Sequence, residues 1–273
     1  MLPPYLPPAE MHQQAGEWQA QGAGAASLPA GWTDEALAVV VGMAAQFGTT
    51  PADLMALFWS ESGAQPRINS AGLAQITTPA QEDMRWPKGA WAQIVAGPLP
   101  AQLAGISAWW THLETRYVRA TFATKASAWN VPVSTVIYAF HAFPSRAANA
   151  TSAQSILVSS PETAYQNNAG LDRAHKNTIT VGDLAARIAS KGREMGADPF
   201  GGSLLSRLEL VAQSGPPSLA EIWASYAEYY QRATGQAIPT PSGSDAPSRS
   251  RLWLAVGALA LGAAVWPTQR ARR

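Results

Sequence analysis

The chain has 273 residues, of which 19 are basic and 18 acidic, so its formal net charge is only +1. This balance gives no general electrostatic attraction to nucleic acid. The chain contains no cysteine, which excludes disulfides, thiolate zinc sites and a cysteine nucleophile. Its 4 histidines are scattered along the sequence, which therefore predicts neither a metal site nor a cofactor.

Residues 1–30 are predicted to form an extended N-terminal arm. The first ten residues, MLPPYLPPAE, are rich in proline, which lacks a backbone donor and fixes φ. They contain no basic segment followed by an apolar run, so we expect no secretory signal. Residues 11–30 are rich in Gln, Ala and Gly and continue the arm. We expect this arm to be a free tail; the alternative is that it docks on a neighbouring subunit.

Helical periodicity follows the arm. Thr33 is placed to cap a first helix, whose apolar residues recur at helical spacing until Gly48. A second helix begins with Thr50 as N-cap and Pro51 at its first position. No stretch shows the repeated alternation of a β-sandwich or barrel, so the predicted fold class is mainly α. Further helices are predicted at 101–120, at 133–142, at 161–166 and after Ser218, where Ser-Leu-Ala-Glu forms a capping box.

The segment 167–192 has the outline of a calcium-binding loop followed by a helix. Asp172 would take the first ligand position and Asp183 the twelfth. Two ligand positions between them hold an alanine, which offers no oxygen, and Lys176, which repels a cation. We therefore expect a degenerate loop that keeps its shape without metal, with Thr180 capping the helix through Asp183. Calcium binding is the less favoured alternative.

The C-terminal part is predicted to contain a linker and a membrane segment. Residues 236–251 are rich in Pro and Ser, as in a linker. Residues 252–266, LWLAVGALALGAAVW, carry no charge and lie between arginine clusters. As a helix they would span about 22 Å, less than the hydrocarbon core of about 30 Å, so a buried helix is the alternative. Ala258 and Gly262 form a small-residue pair that would suit a homo-oligomer.

Glu61 continues the apolar stripe of the second predicted helix. Leu54, Leu57 and Phe58 precede it at helical spacing. A carboxylate on such a stripe is costly unless it is paired or protonated. Desolvation would raise its pKa into the range that a general acid needs at neutral pH. The alternative is that Glu61 turns out to solvent, since Gly63 ends the helix shortly afterwards.

The stretch 61–76, ESGAQPRINSAGLAQI, resembles the signature of soluble lytic transglycosylases and related lysozyme-like enzymes. In that family a Glu-Ser pair ends one helix, and a Gly-Leu-x-Gln element follows to line the sugar cleft. The connection between the two is shorter here than in most members. In phage members, similar stretches correspond to 100–110, a Gln-Leu helix, and 136–144, which carries a tyrosine facing the catalytic glutamate. The run 165–184 resembles a module of tailed-phage proteins, and the whole similarity covers roughly residues 32–190.

Conventional glycosidases use two carboxylates about 5–9 Å apart. Only Glu61 qualifies in this stretch, because Glu82 and Asp83 are expected to face solvent. The resemblance implies that one glutamate protonates the glycosidic oxygen and then acts as base, while the C6 hydroxyl of the sugar closes on C1 to give a 1,6-anhydro product. It also implies a lysozyme-like domain at 31–150. The helical pattern and the degenerate calcium-like loop predict a helical extension at 151–235. The implied substrate-binding residues are Ser62, Leu73, Gln75, Ile76 and Tyr138.

Three functions are compatible with these features. The first is a peptidoglycan-cleaving enzyme in a phage virion, which meets other virion tail proteins and acts on the glycan strand in the host periplasm or cell envelope during genome delivery. Its segment 252–266 would enter the inner membrane. The second is a catalytically inactive structural tail or ejection protein with the same fold, which the short connection favours. The third is a bacterial membrane-anchored wall-remodelling protein, which the missing export signal opposes.

Overall fold

A computed structural model of the chain describes Leu28, 31–172 and 174–238. This described part is mainly helical, as predicted, and its two short strands pair antiparallel. None of its helices is long and apolar enough to cross a membrane. The predicted membrane helix at 252–266 and nearly all of the predicted N-terminal arm lie outside the described residues.

The first half of the described part contains eight helices and one π-helical turn at Glu114–Val118. The helices are α1 (Asp34–Phe47), α2 (Pro51–Ser62), α3 (Thr78–Asp83), α4 (Ala90–Ala96), α5 (Leu99–Leu113), α6 (Phe122–Trp129), α7 (Val133–Ala142) and α8 (Pro144–Ala148).

The second half of the described part holds the two strands, four further helices and a 3-10 turn at Ala169–Leu171. In chain order they are β1 (Ile156–Ser159), α9 (Thr163–Gln166), β2 (Thr178–Thr180), α10 (Val181–Ala197), α11 (Pro199–Gln213) and α12 (Leu219–Thr234).

Helices α1 and α2 begin and end where their capping residues predict. The Thr33 hydroxyl accepts a hydrogen bond from the Ala36 amide, and the Thr50 hydroxyl accepts one from the Asp53 amide. Gly48 ends α1 with a φ of 71°, and Gly63 ends α2 with a φ of 63°, values that glycine adopts without a steric penalty. The end of α2 at Gly63 places Glu61 in the last turn of the helix.

Helix α5 forms the centre of the core and is buried along nearly its whole length. Its Trp110 ring lies edge-on against Phe47 of α1, with ring centroids 5.6 Å apart. The same ring stacks on Phe58 of α2 with a centroid distance of 5.9 Å. Packed aromatic surfaces of this kind fix helix positions strongly. Helix α2 therefore has a rigid apolar support behind it.

Residues 151–235 pack around the first helices and belong to the same compact unit. Helix α10 lies against α2 and α7, α11 lies against α1, and α12 lies against α4 and α5. A bidentate ion pair between Arg207 of α11 and Asp34 of α1 is largely shielded from solvent. The extension thus brings α10 beside the helix that carries Glu61.

The calcium-like loop is held together by protein groups. The predicted capping box is confirmed: the Thr180 hydroxyl accepts from the Asp183 amide, and the Asp183 carboxylate accepts from the Thr180 amide. The Lys176 ammonium lies 3.0 Å and 3.1 Å from the two Asp183 oxygens. Asp172 accepts hydrogen bonds from the Lys176 amide and from the Tyr165 hydroxyl, each at 3.0 Å. Both acidic ends of the loop are therefore engaged within the protein.

Candidate active site

The Glu61 side chain lies in the last turn of α2 and is half-buried. Burial raises its pKa from 4.5 to about 7, although Tyr138 and the positive charge of Arg187 act in the opposite direction. A carboxyl group turned out to solvent would keep its ordinary pKa. The raised pKa agrees with a partly desolvated carboxyl group rather than with one turned fully out to solvent.

Tyr138 of α7 contacts Glu61. Its side chain is buried, and its hydroxyl lies within hydrogen-bonding reach of Ser60 and Glu61. Burial, followed by the negative charge of Glu61, raises the pKa of Tyr138 well above its ordinary value. The phenol is therefore a donor at every physiological pH. Resemblance predicted Tyr138 at this place, and the structure brings it to the glutamate.

Ser60 and Arg187 complete the cluster, and neither was predicted from the sequence. The Arg187 Nε of α10 donates a hydrogen bond of 3.1 Å to the Ser60 Oγ of α2. The guanidinium acts electrostatically on both Glu61 and Tyr138. The only local signal for Ser60 is its place before Glu61. Arg187 lies 127 positions away along the chain, so no motif could connect the two.

Gln75 lies half-exposed in the loop that follows α2. Its amide nitrogen donates to the Gly72 carbonyl at 2.6 Å and to the Asn69 Oδ1 at 3.2 Å. Its Oε1 accepts in return from the Asn69 amide nitrogen at 2.9 Å. The amide that was predicted to contact substrate is thus closed on its own loop. A ligand that binds it must exchange these local hydrogen bonds for its own.

Gln102 of α5 fastens this loop to the core. Its amide is buried; the Oε1 accepts from the Leu73 amide, and the Nε2 donates to the Pro66 carbonyl at 3.0 Å. Gly72 has a φ of 73°, and a Cβ there would lie 2.8 Å from the Gln102 Oε1. Only glycine fits this close approach. The sequence signal for Gln102 was the Gln-Leu pair of its helix, but its role as a clamp was not predicted.

Three of the predicted substrate-binding residues are buried in the protein interior. Leu73 and Ile76 are 0% and 1% exposed, and Ser62 is 4% exposed. The Ser62 hydroxyl donates to the Phe58 carbonyl at 3.2 Å, inside its own helix. Side chains without exposed surface offer nothing to a ligand in this conformation. In this conformation these residues hold the helix end and the loop in place, and their direct contact with substrate stays a prediction.

Asp83 was expected to face solvent, but the structure places it in an ion-pair network. Its carboxylate lies 2.7 Å from the Arg116 guanidinium, accepts from the Tyr117 hydroxyl at 2.9 Å and lies 3.3 Å from the His112 ring. This network ties the end of α3 to the end of α5. Glu82 is exposed, as expected.

His141 joins the loop to two helices. The indole nitrogens of Trp109 and Trp110 donate to its Nδ1 at 3.2 Å and 3.4 Å, and its ring also reaches the Ala74 carbonyl. Burial lowers the pKa of His141 to about 4, against the effect of that carbonyl. The imidazole is therefore neutral at physiological pH and holds α5, α7 and the loop together.

The arrangement suits general acid–base chemistry. A carboxyl group that is protonated near pH 7 can donate its proton, and the phenol and the guanidinium can stabilise the carboxylate that remains. Within the described ranges no group of three His, Asp or Glu side chains could hold a metal ion. Comparisons with protein-family models, with curated proteins and with solved structures found no match to this chain.

Proposed function

We propose that this chain is a lytic transglycosylase with a lysozyme-like helical domain, which cleaves the glycan strand of peptidoglycan. One observation carries the proposal: the half-buried Glu61 carboxyl group, whose pKa is raised to about 7, lies within hydrogen-bonding reach of the Tyr138 hydroxyl. Acid–base chemistry follows from that geometry. The substrate class follows from the resemblance of 61–76 and 136–144 to the family signature.

In the proposed reaction Glu61 performs both proton transfers. It first donates its proton to the glycosidic oxygen, and the bond between that oxygen and C1 breaks. Tyr138 and Arg187 then stabilise the resulting carboxylate. As the C6 hydroxyl oxygen of the same sugar bonds to C1, the carboxylate accepts the hydroxyl proton. Glu61 ends the cycle protonated, the product is a 1,6-anhydro sugar, and no water is consumed.

We place this activity in a phage virion, beside other tail proteins. The resemblance of 165–184 to a tailed-phage module supports that placement. The uncharged segment 252–266 would enter the host inner membrane and hold the catalytic residues in the periplasm, near the cell wall.

A second candidate is a catalytically inactive structural tail or ejection protein. Two observations favour it: the connection between Glu61 and the Gly-Leu element is short, and the Gln75 amide is closed on Asn69 and Gly72. The retained pair of Glu61 and Tyr138 opposes it, because a carboxyl group whose pKa is raised by burial lowers stability at neutral pH.

Digestion of purified sacculi by the full chain separates the two candidates. The wild type should release soluble glycan, and Glu61→Gln should lower the rate at least about 100-fold, because it removes only the titratable proton. Glu82→Gln, which changes an exposed carboxylate of α3, should keep wild-type activity. An inactive wild type would favour the structural protein, and an active Glu61→Gln variant would remove Glu61 from the mechanism.

A further inference from the structure

The extension holds the last turn of α2 at two points. Arg187 of α10 donates its Nε–H to the Ser60 hydroxyl at 3.1 Å. Phe200 of α11 packs on Trp59, with ring centroids 5.7 Å apart. Both contacts act on residues directly before Glu61. The direction in which the Glu61 side chain leaves the helix therefore depends on residues that follow the predicted 31–150 domain.

Arg187 is also the cation that acts on the cluster. It acts electrostatically on Glu61 and Tyr138, and on Glu194 of its own helix. Asp34, Asp183 and Glu194 are each engaged by another cation. The charged and titratable groups on the elements packed against α2 are Asp34 and Glu35 on α1, Tyr138 and His141 on α7, Asp183, Arg187, Lys191, Arg193 and Glu194 on α10, and Arg207 and Glu209 on α11.

We propose that Arg187 is a positioning residue for Glu61: its guanidinium fixes the end of α2 through Ser60 and stabilises the carboxylate that remains after proton donation. An opposite charge near a buried carboxyl group favours its ionised form. The role in catalysis rests on the proposed function, whereas the electrostatic contact does not. On this account residues 151–235 supply part of the active site.

Removal of the Arg187 charge should change the pKa of Glu61, and with it the reaction, in one direction. Burial raises the pKa of Glu61, and the positive charge of Arg187 offsets part of that rise. Loss of the guanidinium charge should therefore raise the pKa of Glu61 above about 7. If the chain is a transglycosylase, the same change should lower kcat more than it raises KM, and it should move the alkaline limb of the pH–rate profile to higher pH.

The test is an NMR titration of the Glu61 carboxyl carbon in the full chain. Arg187→Gln should raise the titration midpoint above that of the wild type. Arg187→Lys keeps the positive charge and should stay closer to the wild type. Arg193→Gln is the matched control, because it removes an exposed arginine from the same helix, and it should leave the midpoint unchanged.

An unchanged midpoint in Arg187→Gln would overturn the proposal, and a lowered unfolding temperature in that variant would then assign Arg187 a purely structural role. An equal rise in Arg193→Gln would also overturn it, because the effect would not be local. The titration requires no activity. If the midpoint rises in Arg187→Gln but the wild-type protein cleaves no glycan, the results support the contact between Arg187 and Glu61 and reject the proposed function.

Discussion

Burial of the Glu61 carboxyl group has a cost that unfolding experiments can measure. The group ionises near pH 4.5 in the unfolded chain and near pH 7 in the folded one. Between those values the unfolded chain has released its proton while the folded chain still holds it. Stability that this group contributes below pH 4.5 is therefore lost as the pH rises through about 7.

Glu61→Gln should remove this loss. At pH 8 the variant should be more stable than the wild type by up to about 3 kcal/mol, since each pKa unit corresponds to about 1.4 kcal/mol. At pH 4 the two proteins should differ little. Urea unfolding at both pH values measures the difference, with Glu82→Gln as the control. Parallel pH dependence of the wild type and Glu61→Gln would mean that folding does not raise the pKa of Glu61.

Glu61 and Tyr138 were predicted from the sequence, but their neighbours Ser60 and Arg187 were not. Glu61 could be found because it continues an apolar stripe, which is a local pattern. Tyr138 could be found only through a resemblance. Ser60 and Arg187 depend on the packing of α10 against α2, a long-range contact that no spacing along the chain encodes.

Local capping explains which elements were predictable. Thr33, Thr50, Thr180 and Ser218 all cap the helices assigned to them, because a cap depends only on the following three residues. The strand β1 has four residues, too few to show an alternating pattern. Helix α11 was not predicted, although its N-cap Asp198 and the proline after it carried the usual signal.

Two glycines inside helices should respond oppositely to alanine. A Cβ at Gly192 of α10 would lie 3.5 Å from the Ala56 Cβ, an ordinary contact. Gly192→Ala should therefore stabilise the protein by about 0.5–1 kcal/mol through backbone entropy. A Cβ at Gly105 of α5 would lie 2.7 Å from the buried Trp91 ring. Gly105→Ala should destabilise by about 1–3 kcal/mol through overpacking.

Thermal unfolding of the two glycine variants beside the wild type checks both signs. If Gly192→Ala lowered the unfolding temperature as much as Gly105→Ala, helices α2 and α10 would pack more closely than the structure describes. The hydrogen bond between Arg187 and Ser60 would then have a different geometry.

Across the whole molecule, the extension and the first helices form one packed body. The ion pair between Asp34 and Arg207 joins α1 to α11, and the contact of Arg187 with Ser60 joins α10 to α2 at the candidate site. The division at residue 150 followed from a resemblance to a catalytic domain. Which helices then cover that domain depends on surface complementarity, which composition and periodicity do not reveal.

The proposal includes insertion of the segment 252–266 into a membrane. It carries no charge, so as a helix it satisfies its backbone internally and should partition into a bilayer. The full chain should float with liposomes in a density gradient, and a variant ending at Ser248 should remain at the bottom. If both remain at the bottom, the segment packs against protein instead, and the proposed membrane insertion is wrong.

The central claim is that one carboxyl group performs both proton transfers. Mass spectrometry of muropeptides released from purified sacculi tests it most directly, because the product records whether water took part. The wild type should release 1,6-anhydro-muropeptides, lighter than hydrolysed ones by about 18 mass units, the mass of one water. Glu61→Gln should release neither product. Muropeptides with reducing ends from the wild type would contradict the account, because they require attack by water and therefore a second acidic residue.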